Sequence, residues 1–467
     1  MRKQAYITKT SEDPYGSCGF YTNMIEAAFK RGYDSGVKQN VSEISQGDLK
    51  KMKLTKLEKS WVLYDVANSA FVLLVSTIIP IYFDYLGDLG GISETQYLAY
   101  WSYAASVATL VVAVIGPILG TAADRKNTKK PIFTIMLAIG CIGCAALGFM
   151  TDWLMFLVVF VIAKIGYSAA NVFYDAMLTD VTTDERMDSV SSQGYAFGYI
   201  GSCIPFVIGL LFVLMYESIG ITMSTAMAIA LWITAIWWFV VSLPLLKNYQ
   251  QTHYVEATPH AVRATFSQLG HTLIDITKKR SILFFYIAFF FYIDGVYTII
   301  EEATAYGTAL GLDSTGLLLA LLVTQLVAFP CSIIYGILAK KISPEKLISI
   351  SIVAYTLITL YAVIFLRVQW QFWILAVCVG MFQGGIQALS RSYFGKIIPP
   401  EKSGNYFGVL DICGKGASFL GTLTVGVVTQ LTGNFSLGVG ALVIFFVLGF
   451  IFFQISVKER KKEEMAV

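Results

Sequence analysis

Charge is what this chain has least of. Only 14% of its 467 residues are Asp, Glu, Lys or Arg, where a soluble domain carries roughly 25%. With 56% hydrophobic residues and a mean hydropathy of +0.65, the sequence excludes a soluble globular protein and reads as an all-α, polytopic membrane protein. Histidine is scarcer still. The three that occur, His253, His260 and His271, share one polar stretch and read as solvated residues, with no metal site. Seven cysteines, an odd number, give no disulfide framework. Cys141 and Cys144 form a C-x-x-C inside an apolar run, beside Gly140 and Gly143. Small residues at a helix-packing face explain them better than metal or redox chemistry. An H-E-x-x-H, a Gly-rich phosphate loop and an Asp-rich pair are all missing. No enzyme, no cofactor and no nucleic-acid partner is therefore expected.

What the chain has in abundance is long apolar runs. Twelve are visible, at about 61–86, 98–120, 131–150, 153–177, 191–215, 223–246, 281–307, 315–338, 346–366, 371–394, 405–430 and 437–457, each close to the ~20 residues that span a bilayer. The longest polar gap, 247–280, follows the sixth run and divides the chain six plus six. Within that gap Phe266, Leu269, Leu273 and Ile276 share one helical face, the pattern of a helix lying along a membrane surface. With the N-terminus inside, the inner segments hold 23 Lys and Arg and the outer loops one, Arg367, which predicts both termini in the cytoplasm. Residues 1–51 have neither periodicity nor a signal-peptide core. They read either as a mobile cytoplasmic extension or as untranslated sequence, with Met52 the start. The domains are then an extension, 1–51; a first bundle, 52–246; a cytoplasmic linker, 247–280; a second bundle, 281–457; and a basic tail, 458–467.

Between the second and third runs stands Gly120-Thr-Ala-Ala-Asp124-Arg125-Lys-Asn127-Thr-Lys129-Lys130. Charges cost about 2.5–3.5 kcal/mol each, or more, in lipid, so this must be a short turn in water. The pattern resembles the loop between the second and third helices of the major facilitator superfamily, with Asn127 in place of its second glycine, a mild change because Asn also tolerates left-handed backbone. The resemblance implies that Asp124 faces the N-terminal end of the eleventh helix and latches the cytoplasmic side. A merely solvated loop explains Lys129 and Lys130 equally well. The halves also look like repeats: Gly336-Ile-Leu-Ala-Lys340-Lys341 ends the eighth run as Gly120 to Arg125 ends the second. Lys340 replaces the acid there, so the latch is one-sided.

Polar residues within the runs form stripes, and in a membrane these are functional candidates. The first run carries Asp65, Asn68, Ser69 and Ser76. The fourth carries Lys164, Ser168, Asn171 and Asp175 on one face. The seventh carries Asp294, Thr298, Glu301 and Glu302, and the tenth Gln383, Gln387, Ser390 and Arg391. The first and fourth helices of each half line the cavity in the facilitator fold. Asn68, Lys164, Asn171, Thr298, Gln383 and Gln387 are the candidate cavity residues. A stripe can also simply join helices through hydrogen bonds. Asp294, and with less claim the interfacial-looking Asp65, are candidates for a coupling proton. Asp124, Arg125 and Arg391 are candidates for the cytoplasmic gate. Glu301 and Glu302 are either a gate or a solvated mouth. Asp411 and Lys415, four apart, read as an ion pair within the eleventh helix.

Trp61 to Phe71, Val190 to Tyr199, Asp294-Gly-Val-Tyr-Thr-Ile-Ile300, and Gln387 to Ser392 running on to Ser418 together resemble the autophagy-related vacuole effluxer-like family of the major facilitator superfamily, over about Trp61 to Val457. The resemblance implies twelve helices in two six-helix bundles, in a bacterial cytoplasmic membrane. It further implies alternating-access transport of a small solute, such as an amino acid, by a monomer with proton coupling. A proton-driven drug or metabolite exporter and a non-transporting membrane sensor are the rival readings.

Overall fold

In the computed structural model, which describes residues 53–256 and 261–465, each apolar run is a helix. Spans two to six are Glu94–Ala123, Lys129–Leu147, Trp153–Ala176, Asp184–Leu214 and Met223–Asn248. Spans seven to twelve are Arg280–Ala309, Ser314–Leu338, Pro344–Phe365, Gln369–Ile397, Ser403–Thr432 and Phe435–Met465. Span one is broken into Lys56–Ser76 and Ile78–Gly90. Pro80 has no N–H to return to the Ser76 carbonyl, and the helix gives way one residue later, at Thr77. Eleven helices among the described residues are long and apolar enough to cross a membrane. The remaining span, Ser403–Thr432, is thirty residues long and carries the polar Asp411.

Span starts follow the capping chemistry written in the sequence. Thr55 Oγ1 accepts the Glu58 N–H at 3.2 Å, and the Glu58 carboxylate accepts the Thr55 N–H at 2.7 Å. Asp152, Thr222 and Asp313 cap spans four, six and eight. Span one packs on spans five and six, and span three on span four; span seven packs on span twelve, and span eight on span ten. These contacts build two bundles within the unit that begins at Thr55. Their outer surfaces are apolar, with Leu110, Ile142 and Ile236 all more than 60% exposed, as a lipid-facing surface requires.

The C-x-x-C is a packing face. Cys141 and Cys144 are buried and unbonded. A Cβ on Gly140 would collide with the Trp238 ring, and one on Gly166 with the Gly140 backbone. Spans three, four and six thus close around a position that admits no side chain. The linker helix Ala261–Lys278 buries Thr265, Thr272 and Ile276 and leaves Phe266 and Leu273 exposed. Its expected apolar row is therefore divided, Ile276 turning into the protein.

Loops 2–3, 4–5, 8–9 and 10–11, the linker and the C-terminal end of span twelve gather at one face, joined by Arg186–Glu58 at 2.7 Å, Lys402–Asp275 at 3.5 Å and Arg460–Glu345 at 3.6 Å. This basic face is where the charge missing from the rest of the chain is concentrated. Gly140→Leu should overpack the junction of spans three, four and six by about 1–3 kcal/mol. Unfolding in detergent, followed by tryptophan fluorescence, should shift down by several degrees; an unchanged midpoint would contradict this packing.

Candidate functional site

At the basic face, loop 2–3 is wedged against the start of span eleven. The first-turn N–H groups of a helix have no partner within it and carry the positive end of its dipole. Asp124 supplies the partner: Oδ1 accepts the Gly404 N–H at 2.7 Å and Oδ2 the Asn405 N–H at 2.9 Å, with Asp124 fully buried. The approach depends on glycine, since a Cβ on Gly120 would collide with the Gly404 carbonyl and one on Gly404 with that of Gly120. Asn127 adopts the left-handed backbone, φ 62°, that the missing glycine of the motif would have taken.

This loop is not the solvated turn that its charges suggest. Lys129 is fully buried, with Nζ 3.0 Å from Asp180 Oδ2 and 2.9 Å from Ser403 Oγ. Asp180, just after span four, also accepts from Thr252 Oγ1 at 2.9 Å and from the His253 N–H at 2.8 Å, with His253 Nδ1 at 3.1 Å. His253 is therefore a partner of Asp180 and not free in solvent; His271 is exposed as expected, and His260 lies outside the described residues. The linker continues across both bundles. The Val255 N–H donates to the Asp124 carbonyl at 2.8 Å, Arg125 Nη2 to Thr265 Oγ1 at 2.7 Å, and Asn405 Nδ2 to Thr272 Oγ1 at 2.8 Å. Burial pushes the Asp124 carboxyl up to about 7, against the pull of Lys129 and the two N–H groups. The hydrogen bond to Asp180 raises the His253 imidazole above its ordinary value.

Deeper in, Arg391 of span ten crosses into the first bundle. Nη2 lies 3.1 Å from Asp65 Oδ2, Nη1 lies 3.1 Å from Asp175 Oδ1, and Nε donates to Ser191 Oγ at 2.9 Å. Its guanidinium stands 4.5 Å from the Trp61 ring centroid and 4.4 Å from that of Tyr195, a cation–π enclosure. Asp65 is thus not in open water. It is buried two turns into span one and spent on an ion pair. Further along span ten, the adjacent Ser392 and then Lys396 both reach Asp188 of span five, at 2.7 and 2.6 Å.

Beyond this seal lie the stripe residues. Lys164 is half-buried on span four, with Nζ 5.8 Å from the Phe160 ring centroid. Its charge acts on Glu301 of span seven, in the opposite bundle. Asn171 Oδ1 is buried without a hydrogen-bond partner, and Gln387 Nε2 stands 3.5 Å from the Tyr199 hydroxyl. Asn68 turns back on its own helix, donating to the Tyr64 carbonyl at 3.0 Å. Asp294 is fully buried: Oδ1 accepts from the Gly421 N–H at 3.0 Å and Thr298 Oγ1 at 3.1 Å, while Oδ2 has no hydrogen-bond partner. The expected Asp411–Lys415 pair rests on a Lys415 side chain outside the described residues.

The arrangement is that of two bundles sealed at one face around a charged interior, and relatives decide its class. The family model "Vacuole effluxer Atg22 like" matches residues 55–185 and 179–466. The chain belongs to this family. This Atg22-like protein is 43% identical over 404 residues to the uncharacterized MFS-type transporter YxiO of Bacillus subtilis, covering 85% of this chain and 94% of that one. It is 21% identical to autophagy-related protein 22 of Kluyveromyces lactis, covering 87% and 94% of the two chains. Among solved structures it resembles the major facilitator transporter FucP in the outward conformation, with TM-score 0.67, 15% identity and 86% and 97% of the chains covered. It also resembles a bacterial homologue of the iron transporter ferroportin in an outward-facing state, with TM-score 0.64, 11% identity and 86% and 98% covered. At these identities the structural likeness concerns the fold alone. The Atg22-like chain is a multi-pass membrane transporter of the major facilitator superfamily, with a small-molecule substrate, and not an enzyme.

Asp180, Ser191 and Asp188 complete the site and stood outside the candidates, while Asp175 was read only as part of the span-four stripe and Lys129 only as a charge of the basic loop. Asp180 alone offered a local signal, an acid directly after an apolar span and two residues before the next polar loop.

The seal should respond to pH. In the sealed state Asp124 holds its proton up to about pH 7, whereas once solvated it would ionise near its ordinary 3.8. Protons therefore favour the seal, which is strongest below the ordinary value and weakens as pH rises through 7; His253, raised by Asp180, acts in the same direction. Spin labels at Lys126 and Lys341 should report a separated population that grows several-fold from pH 5 to pH 8. Asp124→Asn should reduce that pH response to the part contributed by His253. Pulsed dipolar distances that stay constant with pH in the native chain would contradict this account.

Proposed function

We propose that this transporter moves a small zwitterion of the amino acid type by alternating access, coupled to a proton. One observation carries the reading. Lys164 and Glu301, a cation and an anion, belong to opposite bundles and lie within electrostatic reach of each other. A zwitterion complements such a pair, its carboxylate meeting Lys164 and its ammonium Glu301. By bridging the two charges it draws the bundles together, which is the closing step that alternating access requires. Asn171 and Gln387 supply neutral hydrogen-bonding groups nearby, and Asn171 Oδ1 is buried without a hydrogen-bond partner.

Asp294 is the residue on which we place the coupling proton. An uncompensated buried carboxylate costs several kcal/mol, and Oδ2 has no partner to offset that cost. Its other oxygen is tied to span eleven through Gly421, so protonation and the position of that span are mechanically linked. Asp65, held by Arg391, serves the gate instead. Asp124, Arg125 and Arg391 close that gate on the basic face. The excess of Lys and Arg on that face supports a cytoplasmic gate and with it an outward-facing conformation; we take the protein as a monomer in a bacterial cytoplasmic membrane.

In proteoliposomes, Lys164→Ala and Glu301→Gln should each reduce uptake of a labelled neutral amino acid mixture at least about tenfold, a loss of ~1.4 kcal/mol or more. Native rates in Lys164→Ala would refute the charge-pair site. Asp294→Asn should keep solute exchange but lose accumulation driven by a pH gradient. If the native protein shows no solute-linked proton movement, the transporter is a uniporter and Asp294 has no coupling role.

A further inference from the structure

Glu301 and Glu302 are neighbours in sequence and serve different spaces. On a helix, successive side chains point about 100° apart. Glu301 feels the charge of Lys164 in the first bundle and does not line the space that Glu302 does. Glu302 lines a partly open space of the second bundle, about 830 Å³ with its open mouth included, bordered by spans seven, eight, nine, ten and twelve. Leu366 and Phe372 of its lining flank the turn between spans nine and ten, so the space sits toward the face opposite the basic one. Lys164, Asp294 and Arg391 are not part of its wall.

The wall has a definite chemistry. Most of it is aliphatic and aromatic, and among the described residues no Lys, Arg or His lines it. Its charge is the Glu302 carboxylate. Two amide oxygens, Gln325 Oε1 and Gln383 Oε1, are buried without a hydrogen-bond partner, and Gln383 is only 6% exposed. Buried acceptors left unmade are costly, and among the described residues of the wall nothing offers the Glu302 carboxylate a counter-charge. We propose that this cavity is a second binding site, separate from the one between the bundles, and that it takes a lipophilic ammonium ion. The ammonium charge meets Glu302, its N–H groups meet the amide oxygens, and an aromatic or aliphatic body fills the apolar wall. An anion is repelled. A neutral body of the same shape leaves all three acceptors unpaired, and a quaternary ammonium satisfies the carboxylate but not the amides. The site stands or falls independently of the zwitterion reading.

The test uses the purified full chain in nanodiscs and tritiated imipramine, a protonated tertiary amine on a tricyclic body, with binding to empty nanodiscs subtracted. Saturable binding is expected. Iminodibenzyl, the same tricycle without the amine, should compete at least about tenfold more weakly. Glu302→Gln should weaken imipramine binding about tenfold or more, and Gln325→Leu, which keeps the shape and leaves the charge, should weaken it by a smaller factor. Lys164→Ala should leave the dissociation constant unchanged even where it stops transport. The proposal is overturned if imipramine does not saturate, or if iminodibenzyl competes equally. It is also overturned if Glu302→Gln and Gln325→Leu, each with native thermal stability, bind as the parent does, or if Lys164→Ala abolishes binding, which would place the ligand between the bundles.

Discussion

A carboxylate on the open end of a helix organises this protein. Asp124 occupies the N–H groups of Gly404 and Asn405, and it can do so only because Gly120 and Gly404 let spans two and eleven touch backbone to backbone. With that contact made, Lys129 is carried inward to Ser403 and Asp180, and the linker is drawn over the joint through Val255, Thr265 and Thr272. The buried Lys129 and Asp180 at the joint pair with each other, as burial demands. The same compensation makes the joint reversible, because each partner is a hydrogen bond that water can replace when the bundles part.

Behind this seal the Arg391 cluster repeats the logic on the opposite diagonal. One cation from the second bundle is shared by Asp65, Asp175 and Ser191 of the first and sandwiched by Trp61 and Tyr195. Together the two joints fix the basic face and leave Lys164 and Glu301 in the space beyond. In the proposed cycle, the gain from a zwitterion bridging that pair offsets the loss of the basic-face bonds.

Much of the fold could be read directly from residues in order. Runs of apolar side chains mark the spans because lipid forces each helix to satisfy its own backbone. The Asn127 turn was legible because few residues tolerate its backbone. Lys129 was misread for a related reason: a lysine in a short basic loop is usually solvated, and nothing adjacent to it in sequence reveals Asp180. Span one was read as a single helix, although Pro80 carried the signal for its break.

The sequence by itself determined the number of spans, the concentration of Lys and Arg at one face, and the stripes on the first and fourth helices of each half. Hydropathy and helical periodicity are local, and they need only neighbours a few residues apart. Tertiary structure alone decided which charges meet. Asp65 and Arg391 are 326 residues apart in the chain, and of the neighbours Glu301 and Glu302 only Glu302 lines the space within the second bundle. Whether a charge is paired depends on where the opposite bundle stands, and that distance is set by the packing of both bundles together.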